Sequence, residues 1–276
     1  MTHHHVVVGV DGTLSSTRAL DWAAGEAIRR DAELRPVCAA ADRAETVPIL
    51  AAAVSRVRAR HPGLPVRTVA AEGGAVRALA REGADAALTV VGSRGMGRVA
   101  GLLLGSVGLR LARRARGPLL VVRGDHPCDS ARVVVLGLED DRDERAAVYA
   151  FEEARRRGAR LRVLHSWPHR HVTPALPPLV GTQGPRRDPA TSHERVEEAV
   201  PRFALAALRE RYADVAVEAM TVRTSAPEAL LASTREAGLV VVGSHHRTSA
   251  VAPPHTHVAP VLLRHAHCPV VVVPAA

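Results

Sequence analysis

The stretch "VVGSRGMGRVAGLLLGSVG", Val90 to Gly108, holds six glycines among aliphatic residues and two arginines. It follows directly on the hydrophobic run that starts at Leu88 and leads into "SVGLRLARRA", an amphipathic stretch. Glycine loses more backbone freedom on folding than any other residue, so this density requires a bare or unusually shaped backbone. A buried strand, then a glycine turn, then a helix start make a ligand loop, because open parallel sheets bind ligands at the carboxyl ends of their strands. Gly105-Ser106 at the helix start suits an anion. The bare backbone lets a phosphate approach, the free amides of the first turn donate to it, and the helix dipole favours its charge.

The same alternation runs outward from this loop. Apolar runs lie at His5–Asp11, Glu33–Ala40, Leu64–Ala71, Leu88–Gly92 and Leu119–Val122. Amphipathic stretches lie between them at Ser15–Arg30, Ala44–Arg60, Gly74–Gly83 and Ser106–Arg116. Continuous apolar strands alternating with helices predict a parallel sheet covered on both faces, with right-handed crossovers.

The chain then repeats itself. "AAGEAIRRDAELRPV" from Ala23 is matched by "AFEEARRRGARLRVL" from Ala150, and "LTVVGSRG" from Leu88 by "LVVVGSHH" from Leu239. Val90–Arg123 aligns with Val241–Pro274 without gaps. A period this long is a duplicated domain rather than a solenoid. The boundary falls at "GDHPCDS", Gly124 to Ser130, and the second copy carries a Pro-rich insertion over 167–192 that reads as a long loop.

Composition narrows the function. The 276 residues are 47% hydrophobic but only 2% aromatic, so the cores are built from Val, Leu and Ala. No run of 18 apolar residues predicts a membrane span, and the N-terminus lacks the layout of a secretory signal. Cys38, Cys128 and Cys268 lie far apart without a CxxC pair, as expected in a reducing cytoplasm. The net charge is +9, and all 37 basic residues are Arg, interleaved with acids on the expected helix faces. With so few aromatics to stack on bases, no nucleic acid and no membrane partner are expected. The lack of Lys excludes a Walker A loop, Schiff-base chemistry and a kinase of the usual kind. Gly95 to Ala100 fits a loose GxGxx(G/A) pattern, but it follows the fourth strand rather than the first, so it is not a dinucleotide fingerprint.

The spacing Gly92-x2-Gly95-x9-Gly105-Ser106 resembles the ATP-binding signature of the universal stress protein family. The opening "VVVGVDGTLSSTRALDWAAGEA" and "GLLLGSVGLRLARRARGPLLVV", which closes the first half, are similar to that family's domains too. The resemblance spans both halves, as in a tandem member. It implies two similar α/β domains, over 1–124 and 130–276. Each would be a five-stranded parallel open sheet with helices on both faces, adenine-nucleotide alpha-hydrolase-like, in strand order 3-2-1-4-5. It implies ATP as the ligand, with Mg2+ accompanying the polyphosphate; the sequence shows no dedicated metal cage. Carried over to this chain, Val10 would flank the adenine, Asp11 would lie against the nucleotide, and Ala39 would be a small apolar adenine contact. Val91 and Gly92 would pass the ribose. Gly95, Gly105, Ser106 and Val107 would hold the phosphates, and Arg94 would reach one of them. The resemblance further implies that the domains pair through their last strands, Leu119–Val122 and Val270–Val273. That makes a pseudo-dimer within the chain, and a homodimer of chains is compatible with it. The chain departs from the family pattern at Gly108, where a small hydroxyl residue is common, and at Gly117, where Cys often precedes Pro.

The second half keeps Gly243 but has His246 for the next glycine and Thr256-His257 for Gly-Ser, with Glu139 and Asp140 near the place of Asp11. These acids and bulky side chains predict that it does not bind ATP. Histidines cluster between His245 and His267 and at His165, His169 and His171, but at spacings of one or two that do not make a helical metal site. No GxSxG elbow and no nucleophile beside a base is present, so no catalytic residue and no enzyme activity is expected. The expected function is a cytoplasmic ATP-binding stress-response or regulatory protein. The alternatives are a nucleotide-independent scaffold module and a weak ATPase.

Overall fold

A computed structural model describes residues 5–93, 106–123, 132–139, 143–166, 205–244 and 258–275. The linker Gly124–Ser130 and the insertion over 167–192 lie outside them.

The N-terminal half runs β1 (His5–Gly9), α1 (Leu14–Arg29), β2 (Glu33–Ala40), α2 (Thr46–Arg60), β3 (Val69–Glu72), α3 (Ala75–Glu82), β4 (Leu88–Gly92), α4 (Ser106–Ala112) and β5 (Leu119–Val122). The C-terminal half runs β6 (Val133–Leu138), α5 (Glu144–Arg157), β7 (Arg160–Ser166), α6 (Ala206–Arg211), β8 (Val217–Val222), α7 (Ala226–Ser233), β9 (Leu239–Ser244), α8 (Val258–His265) and β10 (Val270–Pro274). The strand order is β3-β2-β1-β4-β5-β10-β9-β6-β7-β8, so each half has the expected 3-2-1-4-5 order. All pairings within a half are parallel.

The halves are joined through the last strand of each. β5 and β10 pair antiparallel, with Val121 opposite Val270 and Leu119 opposite Val272, and one ten-stranded sheet results. Side chains alternate across this sheet. Val6, Val8, Val90 and Leu120 face one core, beneath α1, α2 and α5. Val7, Val91, Val121 and Val242 face the other, beneath α3, α4, α7 and α8. Strands covered on both faces need no polar side, which is why they read as unbroken Val and Leu runs.

Two element ends in the N-terminal half differ by more than two residues from the sequence expectation. The third strand starts at Val69 rather than Leu64. The segment before it touches β2 only at Leu34, whose N–H donates to the Pro65 carbonyl and whose carbonyl accepts from Arg67. Pro65 has no N–H to extend that ladder. The fourth helix stops at Ala112 rather than Arg116. Pro118 follows Gly117, and a residue before proline is disfavoured in helical geometry.

Charge fastens the halves together where α1 and α5 meet. Arg30 Nη2 lies 2.6 Å from Glu153 Oε2 and donates to the Tyr149 hydroxyl at 2.9 Å. Arg157 bonds Glu26 in return and sits 5.4 Å from the centre of the Trp22 ring. Within each helix, Arg30 also bonds Glu26, and Arg157 Nε bonds Glu153 at 2.5 Å. All four side chains are at most 6% exposed. The helix arginines expected on solvated faces thus include two that are buried between the halves. On the other face of the sheet, Arg123 caps the end of α8. Its Nε donates to the Ala266 carbonyl at 3.0 Å and its Nη1 to the Leu263 carbonyl at 2.5 Å.

Candidate functional site

In the 3-2-1-4-5 order the winding reverses between β1 and β4, and their carboxyl ends diverge there to leave a crevice. Val10, Asp11, Ala39, Val91, Gly92 and Val107 line a single cavity of about 70 Å³ at this point. Six of the expected site residues therefore converge. Arg94, Gly95 and Gly105 lie outside the described residues; Ser106 opens α4, and its side chain also lies outside them.

The turn from β1 into α1 is built around Asp11. Its Oδ1 accepts from the Thr13 N–H at 3.1 Å and from the Thr13 hydroxyl at 2.6 Å. The Thr13 hydroxyl oxygen accepts from the Ser16 N–H at 3.2 Å, capping the helix. Ser16 Oγ accepts from the Asp11 N–H at 3.3 Å and donates to the Thr13 carbonyl at 2.9 Å. Gly12 has a φ of +78°, a left-handed conformation that side chains resist, and this lets the chain turn within so few residues. Just behind, Cys38 is buried, and burial, helped by the Asp11 charge, pushes its thiol pKa up. That keeps it a neutral core thiol rather than a nucleophile.

Gly92 has a duty that the phosphate-cradle reading missed. A Cβ there would stand 2.5 Å from Ser15 Oγ and 2.7 Å from the Ser15 carbonyl oxygen. The bare backbone is needed first so that α1 can pack against the end of β4. The structure also adds cavity residues that the sequence reading did not name: Gly9, Ser16, Val37, Ala75 and Leu79. Ala75 and Leu79 were accessible in principle, since the crossover from β3 brings α3 past the carboxyl edge. Ser16, three residues beyond a Thr cap, gives no such signal.

The C-terminal half holds a second cavity, of about 50 Å³, at the matching place. Gly137, Leu138 and Glu139 stand where Gly9, Val10 and Asp11 stand; Leu164 and Ser166 replace Val37 and Ala39. Ala226 and Leu230 match Ala75 and Leu79, and Val242, Gly243 and Val258 match Val91, Gly92 and Val107. The sharpest change is at Ser16. Its counterpart Asp143 is 3% exposed, and its Oδ2 accepts from the Glu139 N–H at 2.6 Å. Thus Asp143 adds an acid to the Glu139–Asp140 pair that the sequence pointed to; Asp140 itself lies outside the described residues, as do His246, Thr256 and His257. His165 is buried, with Nδ1 3.0 Å from the Leu138 carbonyl oxygen. His169 and His171 lie outside the described residues, among which no cluster of three metal-ligating side chains occurs.

The family model described as universal stress protein family matches residues 2–56, 39–123 and 131–274. The chain belongs to the universal stress protein family. A family member of Mycolicibacterium smegmatis is 32% identical over 270 residues, covering 89% of this chain and 88% of that one. A universal stress protein of Mycobacterium tuberculosis is 32% identical over 294 residues, covering 98% and 96%. The crystal structure of a universal stress protein from Archaeoglobus fulgidus has the same fold over the full length of both chains, with a TM-score of 0.67 at 16% identity. The tandem arrangement of this family member is therefore carried by whole-chain relatives as well as by its internal repeat. Among the described residues, no helix is long and apolar enough to cross a membrane.

Proposed function

We propose that this universal stress protein is a regulatory protein of the stress response that binds ATP in its N-terminal half alone. The observation that carries the reading is the contrast between two matched cavities. One has the neutral Ser16 hydroxyl at its base, where the other has the buried Asp143 carboxylate. An anionic ligand is tolerated beside a hydroxyl and repelled by a carboxylate in a low-dielectric setting.

The described residues fit the base and ribose of an adenine nucleotide. Val10, Ala39, Val91 and Val107 offer an apolar slot, and Asp11 stands at one end of it as an acceptor for ribose hydroxyls. The phosphates would reach toward Gly95, Gly105, Ser106 and Arg94, as the sequence motif implies. Mg2+, held chiefly by those phosphates, would offset their charge. In this reading ATP is a ligand that shifts conformation or partner affinity and is not a substrate. The described lining offers one carboxylate, Asp11, and its Oδ1 is engaged by Thr13. The protein works in the cytoplasm in this account.

A second reading, a nucleotide-independent scaffold, is favoured by one observation: packing against Ser15 requires Gly92 whether or not a ligand binds. Mass spectrometry of natively purified protein separates the two. An adenine nucleotide carried through purification supports the first reading; its absence, together with no heat of binding on adding ATP, supports the second.

A further inference from the structure

On the face of the sheet that carries α3, α4, α7 and α8, the two middle helices form a strip of positive charge. α4 packs beside α8 across the junction of β5 and β10, with α3 and α7 outside them. At the end of α4 stand Arg113, Arg114 and Arg116, and at the end of α8 stand Arg264, His265 and His267. All six are exposed, and so is Arg110 on α4. The ungapped repeat puts the two triads at matching positions: Arg113 with Arg264, Arg114 with His265 and Arg116 with His267. Elsewhere arginine is interleaved with acid, as where Arg30 meets Glu26 in α1 and Arg156 meets Glu152 in α5. Here no Asp or Glu occurs in the sequence from Ala86 to Gly124 or from Ala237 to Ala276. Of the acids that border these stretches, Glu82 pairs with Arg81 and Glu236 with Arg162. Among the described residues, Arg110, Arg113, Arg114, Arg116 and Arg264 form no ion pair. The helix dipole does not account for the strip. Arg110 already serves the last turn of α4, whereas Arg113, Arg114 and Arg116 lie past its end at Ala112, and the dipole effect fades within a turn.

What the strip lacks selects its partner. Protein interfaces are anchored by aromatic and other large side chains in a desolvated centre. The exposed large apolar residues among those described are Leu14, Ile28, Val47 and Met220, on α1, α2 and β8, so α4 and α8 offer no such anchor and nothing to insert into a membrane. The scarcity of aromatics bears on single strands, whose bases need stacking platforms. A duplex held by its phosphates needs only cations. Arginine's planar fork fits phosphate oxygens, and histidine donates an N–H in either protonation state. Double-stranded RNA is held in part through its 2′-hydroxyls, and the two triads carry no hydroxyl or amide side chain to meet them. The two antiparallel strands of a double helix are themselves related by two-fold axes, which suits a pair of symmetry-matched triads.

We infer that the α4–α8 face is a docking surface for duplex DNA, bound through its phosphates without reading base sequence. The inference is independent of any nucleotide in the N-terminal cavity.

The test is the fluorescence anisotropy of a labelled DNA duplex of about two helical turns, titrated with the full chain at about 50 and about 200 mM salt. Binding is expected at the lower salt and should weaken at least about tenfold at the higher, because each neutralised phosphate releases counterions. In the triple variant Arg113→Gln, Arg114→Gln, Arg116→Gln, affinity at the lower salt should fall at least about tenfold, and the logarithmic salt slope should flatten by about two to three. The matched variant Arg264→Gln, His265→Gln, His267→Gln should weaken binding as well. Arg43→Gln, Arg58→Gln, Arg67→Gln removes three exposed charges at the far end of the sheet and should change affinity by less than about threefold. Every substituted residue is exposed, and an unchanged far-UV circular dichroism spectrum checks that each variant folds. The inference is overturned if the duplex does not bind at the lower salt, or if the far-end variant loses as much affinity as the triad variants, since net charge alone would then be acting. It is overturned too if a single strand binds more tightly than the duplex, or if phosphatidylserine vesicles take up the protein and the duplex does not.

Discussion

Ser16 and Asp143 occupy one position in the two halves of the fold, each accepting the N–H of the acidic residue just past its half's first strand. The distances are 3.3 Å from Asp11 to the Ser16 hydroxyl and 2.6 Å from Glu139 to the Asp143 carboxylate. The same local hydrogen bond is kept while the side chain that accepts it changes from a hydroxyl to a carboxyl group. The turn therefore folds with either side chain at this position.

Ser16→Asp places the charge of the C-terminal cavity into the N-terminal one. The new carboxylate can still accept the Asp11 N–H, so far-UV circular dichroism should be unchanged. Affinity for ATP should fall at least about tenfold in a calorimetric titration, because a negative charge would then stand beside an anionic ligand. Unaltered affinity would show that the residue is irrelevant to selectivity.

The buried charges between α1 and α5 hold the halves in register. Arg30→Met leaves Glu26 and Glu153 without one of their shared partners. Removing one member of a buried ion pair costs about 3–5 kcal/mol, so urea unfolding should show a loss of that order. The double variant Glu153→Gln with Arg30→Met should recover part of it, since fewer charges are left buried and unmatched.

Acid should weaken the same junction. Burial alone would raise the Glu26 pKa, but Arg30, Arg157 and Arg29 outweigh it and hold it at about 2. A carboxyl depressed in the folded state contributes stability at pH values above its unfolded pKa, and that contribution is lost as the pH falls toward the folded value. Unfolding free energy measured at pH 6, 4 and 3 should therefore decline over the acid steps, and Glu26→Gln should flatten that decline.

Gly92→Ala tests whether the glycine serves packing before it serves any ligand. Its Cβ would meet the Ser15 carbonyl carbon at 2.8 Å, a backbone atom that cannot swing aside. Overpacking of this kind costs about 1–3 kcal/mol, read as a lowered unfolding midpoint in ligand-free protein. An unchanged midpoint would return Gly92 to a role in ligand approach alone.

The strands are legible in the sequence because burial on both faces leaves them few polar residues, as in "VVVG" and "LLVV". The internal repeat also announces the pseudo-symmetry, and the pairing of β5 with β10 follows the family resemblance. What stays hidden depends on which surfaces meet. "GEAIRR" and "FEEARRR" read as ordinary solvated helix, and only the approach of α1 to α5 decides that Arg30 and Arg157 are the buried arginines. Ser16 and Asp143 escape notice for a related reason. Their importance comes from a turn that folds back beneath the strand end, and spacing along the chain does not encode that. The start of β3 is obscured because "LPVRTVAAE" turns apolar at Leu64, where a single bridge to Leu34 precedes the continuous ladder that begins at Val69.

The central claim is that two cavities of one plan differ in what they accept. Calorimetric titration of the intact chain with Mg-ATP tests it most directly, through stoichiometry. One ATP per chain, lost in Ser16→Asp and untouched by Glu139→Gln, is the predicted result. Two equivalent ATP molecules per chain, or none, would contradict it.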